Sequence, residues 1–330
     1  MSTASQFRDM RVQAKDFDPA RYIRGKKHSL LLDLGPYGSG IELPILLARG
    51  EKQGKTLVVT GGVHGDEFEG VRAILEVWAG LDPLKMSGDF LAVPVANPVA
   101  FWKGTRTTPL DEGNLARAFP GLEQGSPTQA IAFHLANSII AQGDFYLDLH
   151  SAGVKLLMPS MVGYDAGDQR SLEAALAFGA PVIWGHPKIS PGRTISFAAT
   201  RGIPWLYTEA AGAGRIDAVD LAMFKRGIGN LLCHLKIEPG ALERREPSHS
   251  LYGDGDVDKS LSAGLPGFLV PSVQLLDTVA VGQELGRTLD LHGQPVEVFK
   301  SPRDGVVGMI HVFPVVQPGD SVFLITGSAK

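Results

Sequence analysis

The chain has 330 residues, 44% of them hydrophobic and 20% charged, with a formal net charge of −4 at pH 7. This composition is typical of a folded globular protein, and the length favours one large domain with a smaller one. The weak negative charge argues against a nucleic-acid partner or an anionic membrane surface. The single cysteine excludes an internal disulfide framework and is typical of a reducing compartment.

The first 24 residues are polar and charged, and they lack the apolar core of a secretion signal. No stretch of the sequence approaches the ~18 uncharged apolar residues that a membrane-spanning helix needs. We therefore expect an N-terminal extension over 1–24, no membrane partner and a cytoplasmic location.

Strand and helix patterns alternate after the extension. The short apolar run 56–60 is typical of a strand buried on both faces, and apolar residues at helical spacing follow over 67–81. Because this rhythm recurs up to residue 235, it predicts an α/β fold with a mainly parallel sheet covered by helices. The predicted strands are 29–34, 41–47, 56–60, 90–95, 145–149, 181–184 and 205–208, and the predicted helices are 67–81, 128–141, 171–178 and 215–235.

The composition changes after residue 235. A polar stretch broken by proline and glycine leads into short β-type runs at 267–271, 278–281, 296–300, 305–310 and 321–325, without a helical pattern. The sequence therefore predicts a main domain over 25–240, a linker over 241–263 and a β-rich domain over 264–330.

Two histidines and a carboxylate stand beside the ends of predicted strands. His64 and Glu67 are three residues apart, so one loop or helical turn can direct both side chains to one point. His150 closes the strand 145–149, and the carboxyl ends of parallel strands meet at one edge of a sheet. Two imidazoles and a carboxylate often hold a catalytic zinc ion. We predict one zinc ion per chain, although iron, cobalt or manganese would accept the same donors.

Each of these residues could instead have an ordinary structural role without a metal. Glu67 could complement the dipole of the following helix, while His64 and His150 could be solvated loop residues. Asp66 is a competing ligand, but the spacing from His64 favours Glu67. Asp148 lies on the same side of its strand as His150 and could orient that imidazole.

Proton transfer and positive charge are the remaining requirements of a hydrolase. Glu209 follows the predicted strand 205–208, where a dry pocket would raise its pKa and suit it to general base catalysis. Alternatively, Glu209 could be a strand-end carboxylate that forms an ion pair with Arg215. The loop-like segment 103–121 carries Arg106 and Arg117, which could polarise a carbonyl or bind a carboxylate, or could be ordinary surface arginines.

Taken together and in this order, the motifs resemble the succinylglutamate desuccinylase/aspartoacylase family, which is related to zinc carboxypeptidases. The resemblance covers roughly residues 40–235 and rests on the stretches 62–67, 97–98, 114–121, 148–151 and 208–209. It implies a zinc-carboxypeptidase-like α/β fold, with a mixed, mostly parallel sheet flanked by helices and a small C-terminal all-β domain.

The resemblance also assigns roles within the site. It implies that His64, Glu67 and His150 hold zinc, and that Glu209 is the general base. Arg106 would then polarise the scissile carbonyl, and Arg117 would hold a substrate carboxylate. The implied reaction is removal of an acyl group from an N-acyl amino acid or a similar small amide by attack of zinc-bound water.

One departure from the family affects the expected substrate. Where the family commonly has Asn-Arg, this chain has Ala116-Arg117, and alanine cannot donate a side-chain hydrogen bond. Either Asn114 binds the substrate instead, or the substrate differs from acetyl-aspartate and succinyl-glutamate, with acetylated diamino acids as one candidate. Two further functions stay open: a carboxypeptidase or amidase acting on short peptides, and a non-catalytic metal-binding protein with this fold. The identity of the acyl group and the formation of a homo-oligomer are also left open.

Overall fold

The structure is a computed structural model that describes residues 11–38 and 40–328. The predicted extension 1–24 therefore lies partly outside the described residues, as do the last two residues of the predicted domain 264–330. Within the described part, no helix is long and apolar enough to cross a membrane.

The described residues form two β-sheets and a set of α-helices. The strands are β1 (Arg11–Gln13), β2 (Lys26–Asp33), β3 (Glu42–Arg49), β4 (Lys52–Gly61), β5 (Ser87–Val93), β6 (Phe145–Leu149), β7 (Leu156–Leu157), β8 (Met161–Asp165), β9 (Val182–His186), β10 (Trp205–Glu209), β11 (His249–Tyr252), β12 (Leu261–Ser262), β13 (Gly267–Pro271), β14 (Thr278–Val279), β15 (Glu284–Leu289), β16 (Pro295–Lys300), β17 (Gly305–His311), β18 (Val315–Val316) and β19 (Ser321–Ser328). The α-helices are α1 (Glu69–Gly80), α2 (Pro98–Lys103), α3 (Pro127–His134), α4 (Gln169–Phe178), α5 (Thr194–Thr200) and α6 (Ala218–His234).

The larger sheet is mixed, with a parallel centre. Its order is β1-β2-β3-β5-β4-β6-β10-β8-β9-β11-β19-β17-β14, with β7 paired to β17 and β12 to β19. Strands β5, β4, β6 and β10 run parallel to one another, and so do β8, β9 and β11. Every residue of β6 is buried, as expected for a parallel strand with both faces covered. The predicted mostly parallel sheet with flanking helices is confirmed.

Alternate residues of the central strands enter two separate apolar clusters, because successive side chains of a strand point to opposite faces. Val59 and Leu147 belong to the cluster beneath α1, α4 and α6. Val58 and Tyr146 belong to the cluster on the other face, which includes residues of α3 and α5. The sheet is thus held between two helical layers.

Several element bounds differ from the prediction. The predicted helix 128–141 is α-helical only as far as His134 and continues as a π-helical turn, Leu135–Ile139, and a 3-10 turn, Ile140–Gln142. The apolar pattern does not distinguish these hydrogen-bonding registers. The prediction also missed α2, which is only six residues long, and the strand β8.

The C-terminal region is built from antiparallel strands. β16, β15, β13 and β18 form a separate sheet, while β19, β17 and β14 extend the large one. The predicted linker 241–263 contains β11, which pairs with β9 on one side and β19 on the other. This strand joins the two regions through backbone hydrogen bonds. The domain boundary at residue 264 stays a prediction.

Candidate metal centre

The predicted site residues lie at the carboxyl ends of three neighbouring parallel strands. His64 follows β4 by three residues, His150 follows β6 directly, and Glu209 is the last residue of β10. Gly62 turns the chain from β4 towards α1 with a φ of 59°, a left-handed conformation that favours glycine. Glu67 then stands two residues before α1. The topology therefore brings all four side chains to one edge of the sheet.

His64, Glu67 and His150 are buried and form one cluster, in which a ligand atom of each lies within 4.8 Å of the others. Nδ1 of His64 lies 2.8 Å from Oε1 of Glu67, and Nδ1 of His150 lies 2.8 Å from Oε2. Each ring is also bound through Nε2, at 3.2 Å from Oδ1 of Asn114 for His64 and 3.0 Å from Oδ2 of Asp148 for His150. Both imidazoles therefore direct Nδ1 at the same carboxylate.

The hydrogen bonds at Nε2 show which nitrogen of each ring carries a proton. A carboxylate only accepts, so Nε2 of His150 donates to Asp148. Oδ1 of Asn114 also accepts from the backbone N–H of Ala116 at 3.0 Å, so Nε2 of His64 donates to the same oxygen. Each Nδ1 atom then faces a carboxylate oxygen at 2.8 Å, so a proton or a metal ion must lie between the two atoms. Two imidazole nitrogens and a carboxylate around such a position fit a divalent metal.

The pKa values follow from the same crowding of charge. Burial lowers the pKa of His64, and the nearby Arg106 guanidinium adds to this, which favours the neutral ring that metals bind. Burial acts to raise the pKa of Glu67, but the two imidazoles outweigh it and hold that pKa well below its usual value. Burial acts to lower the pKa of His150, but Asp148 and Glu67 outweigh it and raise that pKa well above the usual value. The two carboxylates beside His150 thus attract positive charge to this position.

Asp148 is itself held in place behind the cluster. Oδ1 accepts from the Thr60 hydroxyl at 2.6 Å, and Oδ2 accepts from the hydroxyl of Thr194, the first residue of α5. Burial acts to raise the pKa of Asp148, but His150 and these hydrogen bonds outweigh it and lower that pKa. An ionised, fully bonded carboxylate fixes the tautomer and orientation of the ring in front of it. The sequence analysis named Asp148 for this position but missed Thr194.

Glu209 faces the same pocket as the cluster. Its Oε2 atom is buried and has no hydrogen-bond partner among the described residues. Burial raises the pKa of Glu209 to about 8, and the negative charge of Glu67 contributes to the increase. The alternative ion pair with Arg215 is not among the salt bridges formed by the described residues. A carboxyl group with such a pKa can take up or release a proton near neutral pH.

The two arginines of the segment 103–121 lie at different depths. Arg106 reaches the cluster, where Nη1 donates to Oε1 of Glu67 at 3.2 Å while 37% of its side chain stays exposed. Arg117 lines the same pocket, but its guanidinium donates to both oxygens of Asp258 at 2.7 and 2.9 Å. Only Arg106 therefore lies within hydrogen-bond distance of a candidate metal ligand.

Asp66, the competing ligand, points away from the cluster. Its Oδ2 accepts from the backbone N–H of Val154 at 3.1 Å, in the loop that follows β6. It does not belong to the group of His64, Glu67 and His150 that could share an ion. Asp66 thus supports the loop after His150.

The chain matches the model of the succinylglutamate desuccinylase/aspartoacylase catalytic domain over residues 53–235. It is also 34% identical over 295 residues to N-alpha-acetyl-L-2,4-diaminobutyric acid deacetylase from Halomonas elongata, with 86% of this chain and 85% of that protein covered. The chain belongs to the succinylglutamate desuccinylase/aspartoacylase family. The resemblance noted from the motifs is confirmed.

Solved structures extend the likeness to nearly the whole chain. The product-bound ectoine utilization protein EutE (DoeB) from Ruegeria pomeroyi is 28% identical with a TM-score of 0.84, covering 93% of this chain and 97% of that one. The succinylglutamate desuccinylase/aspartoacylase from Rhodobacter sphaeroides is 29% identical with a TM-score of 0.83, covering 96% and 98%. Because this coverage continues beyond residue 235, the C-terminal β region belongs to the shared fold. The expected zinc-carboxypeptidase-like fold with a C-terminal β part is confirmed.

Ala116 lines the pocket and offers it no polar side-chain group. Asn114, which we expected to bind substrate in its place, instead directs Oδ1 at His64 and at the backbone of Ala116. In the structure Asn114 orients a candidate metal ligand, and contact with a substrate stays a prediction.

The sequence analysis missed part of the pocket wall of this family member. Arg193 and Lys188 follow the end of β9. Because binding sites of such sheets lie at the carboxyl ends of the strands, their position after a predicted strand was a usable signal. Asp254 and Asp256 belong to the segment that was predicted as a linker, and no local pattern marks them. Their position depends on the pairing of β11 with β9 and β19.

Proposed function

We propose that this family member is a zinc-dependent deacylase that hydrolyses the amide bond of an N-acyl amino acid or a similar small amide. The observation that carries the proposal is the convergence of two Nδ1 atoms and a carboxylate beside the buried carboxyl group of Glu209. His64, Glu67 and His150 would hold one zinc ion per chain. When bound, the metal supplies Lewis-acid chemistry, which polarises a carbonyl and makes a nucleophile available at neutral pH.

Glu209 is proposed as the general base and acid. Hydrolysis of an amide requires removal of a proton from the attacking water and delivery of a proton to the departing nitrogen. A single carboxyl group can perform both transfers in turn if its pKa lies near the working pH. The pKa of about 8 that burial gives Glu209 supports this role.

Arg106 is proposed to stabilise the charge that develops on the acyl oxygen. A positioned donor at that oxygen stabilises the transition state more than the substrate, which accelerates the reaction. The guanidinium lies beside Glu67 at 3.2 Å and is partly open to the pocket, which supports contact with a bound acyl group.

The deacetylase from Halomonas elongata is named for N-alpha-acetyl-L-2,4-diaminobutyric acid, and this supports a small N-acylated amino acid as the substrate here. The test is a panel of N-acetyl and N-succinyl amino acids beside short peptides, with zinc-loaded protein and release of free amine as the readout. We expect hydrolysis of acyl amino acids and little hydrolysis of peptides. Hydrolysis confined to peptides would favour the peptidase alternative, and no hydrolysis by fully loaded protein would favour a non-catalytic metal-binding protein.

The same assay tests the role of Glu209 with a single substitution. Glu209→Gln removes the proton-transferring group and should lower kcat on the order of 10²–10⁴-fold with zinc content unchanged. Glu238 is a matched control, since burial also raises the pKa of this carboxyl and it lies outside the pocket. Glu238→Gln should keep full activity. A Glu209→Gln protein as active as the wild type would remove Glu209 from the mechanism.

A further inference from the structure

One wall of the pocket carries carboxylates from the segment 254–259, between β11 and β12. Oδ1 of Asp256 accepts from Nη2 of Arg193 at 2.6 Å, and Oδ2 accepts from the Ser190 hydroxyl at 2.9 Å. The two oxygens of Asp258 accept from Nε and Nη2 of Arg117 at 2.7 and 2.9 Å. Both arginines line the pocket, so the two guanidinium groups that face it are already bound to carboxylates.

These four side chains form one charge-balanced network. Arg117 lies 3.9 Å from Asp256, and Arg193 lies 3.9 Å from Asp258, in addition to the shorter pairs. The side chain of Asp256 is 8% exposed and that of Arg193 is 16% exposed, so water screens this pair weakly. The network therefore adds two positive and two negative charges to the pocket wall and no net charge.

The other cations of the pocket wall are Arg106 and Lys188. Arg106 is bound to Glu67 in the metal centre. Lys188 is exposed, and among the described residues no carboxylate lies within salt-bridge distance of its ammonium group. Outside the metal centre, the wall thus offers one uncompensated positive charge, which matches one substrate carboxylate.

We infer that Asp256 and Asp258 restrict the site to N-acyl amino acids with a single carboxylate, and that they exclude N-acyl derivatives of dicarboxylic amino acids. The inference rests on the proposed function and specifies its substrate class. A second carboxylate would find both pocket guanidinium groups neutralised, Arg117 by Asp258 and Arg193 by Asp256. It would also approach Asp256 in the pocket wall, and such like-charge contacts are a common source of specificity. A cationic side chain would instead be attracted to Asp256. Ala116 adds to the effect, because it offers no donor to a carboxylate.

The test compares three N-acetyl amino acids with four-carbon chains, whose side chains are cationic, neutral and anionic: N-acetyl-2,4-diaminobutyrate, N-acetyl-2-aminobutyrate and N-acetyl-aspartate. For the wild type we expect kcat/KM to fall in that order. Asp258→Asn should raise kcat/KM for the anionic substrate relative to the cationic one by on the order of ten-fold. Asp256→Asn, in which the amide oxygen can still accept hydrogen bonds, should change the ratio in the same direction.

A matched control keeps both aspartates and breaks another ion pair of the same segment. Lys259 binds Asp254, which also lines the pocket, so Lys259→Gln loosens the segment and leaves an additional uncompensated negative charge at the wall. It should therefore not raise kcat/KM for the anionic substrate relative to the cationic one.

Three outcomes would overturn the inference. The first is an unchanged ratio in both aspartate variants. The second is an equal gain for all three substrates in Asp258→Asn, because Asp258 would then only compete with the common carboxylate for Arg117. The third is an increase in kcat/KM for the anionic substrate relative to the cationic one in Lys259→Gln that is as large as in the aspartate variants. A wild type that hydrolyses none of the three substrates would instead count against the proposed function.

Discussion

His150 is bound by a carboxylate on each ring nitrogen, Glu67 in front and Asp148 behind. The carboxylate behind the ring holds the proton at Nε2 and leaves Nδ1 to the cluster. Metal affinity should therefore depend on Asp148, although this residue would not contact the ion.

We predict that Asp148→Asn weakens zinc binding about 10–100-fold, because an amide holds the imidazole less firmly than a carboxylate does. The measurement is a competition titration with a chelating dye. Asp144 lies just before the same strand and binds the backbone of Thr56 at 2.8 Å, far from the site, so Asp144→Asn is the matched control. Equal zinc affinities of the two variants would show that Asp148 does not orient His150.

A second buried histidine should affect stability in acid. His186 ends β9, its Nε2 lies 2.9 Å from the Tyr207 hydroxyl, and burial lowers its pKa to about 4. In the unfolded chain a histidine has a pKa of about 6.5. Between these values the unfolded chain binds more protons, so the stability contributed by neutral His186 is complete above pH 6.5 and is lost as the pH falls towards 4.

We predict that His186→Gln makes the free energy of unfolding less dependent on pH between 6.5 and 4, by up to about 3 kcal/mol. Urea unfolding at several pH values measures this difference. The exposed His292 is the control, and His292→Gln should leave the pH dependence as in the wild type. Parallel pH profiles for wild type and His186→Gln would contradict the prediction.

At the scale of elements, the metal centre depends on how closely α1 approaches the end of β6. A Cβ atom at Gly70 would lie 2.6 Å from Cβ of Leu149 and 3.0 Å from its carbonyl oxygen. Leu149 precedes His150, and Glu67 stands just before α1. This glycine therefore lets the helix bring one ligand close to the other.

We predict that Gly70→Ala lowers the free energy of unfolding by about 1–3 kcal/mol and weakens zinc binding, because helix and strand must separate. Gly80→Ala in the same helix is the control, since a Cβ there meets nothing within 4 Å. That change should be neutral or stabilising by up to ~1 kcal/mol. The prediction fails if Gly70→Ala unfolds and binds zinc as Gly80→Ala does.

The parts of the site that could be predicted from sequence lie at the ends of buried parallel strands. His64, His150 and Glu209 each follow an apolar run, and the ends of such strands in one sheet meet by topology. The carboxylates of the segment 254–259 could not be predicted, because they reach the pocket only through the pairing of β11 with β9 and β19. Pairing between strands so far apart in the chain leaves little mark on local sequence.

For the molecule as a whole, β11 and the segment 254–259 connect the C-terminal β region to the pocket. This segment supplies Asp256 to the pocket wall and Asp258 to Arg117, which lines the pocket. We expect this region to affect substrate choice more than the chemical step, because its residues lie beside the arginine pair and not among the candidate metal ligands. The division at residue 264, a homo-oligomer and a cytoplasmic location stay predictions.

The central claim is that one ion, held by His64, Glu67 and His150, supports hydrolysis of an N-acyl amino acid. Its most direct test is a titration of metal-free protein with zinc, with the rate of amine release from N-acetyl-2,4-diaminobutyrate measured at each step. We predict a rate that rises in proportion to added zinc up to one equivalent per chain and then stays level, and a Glu67→Gln protein that stays inactive throughout. Full activity before any metal is added, or no activity at any zinc concentration, would contradict the account.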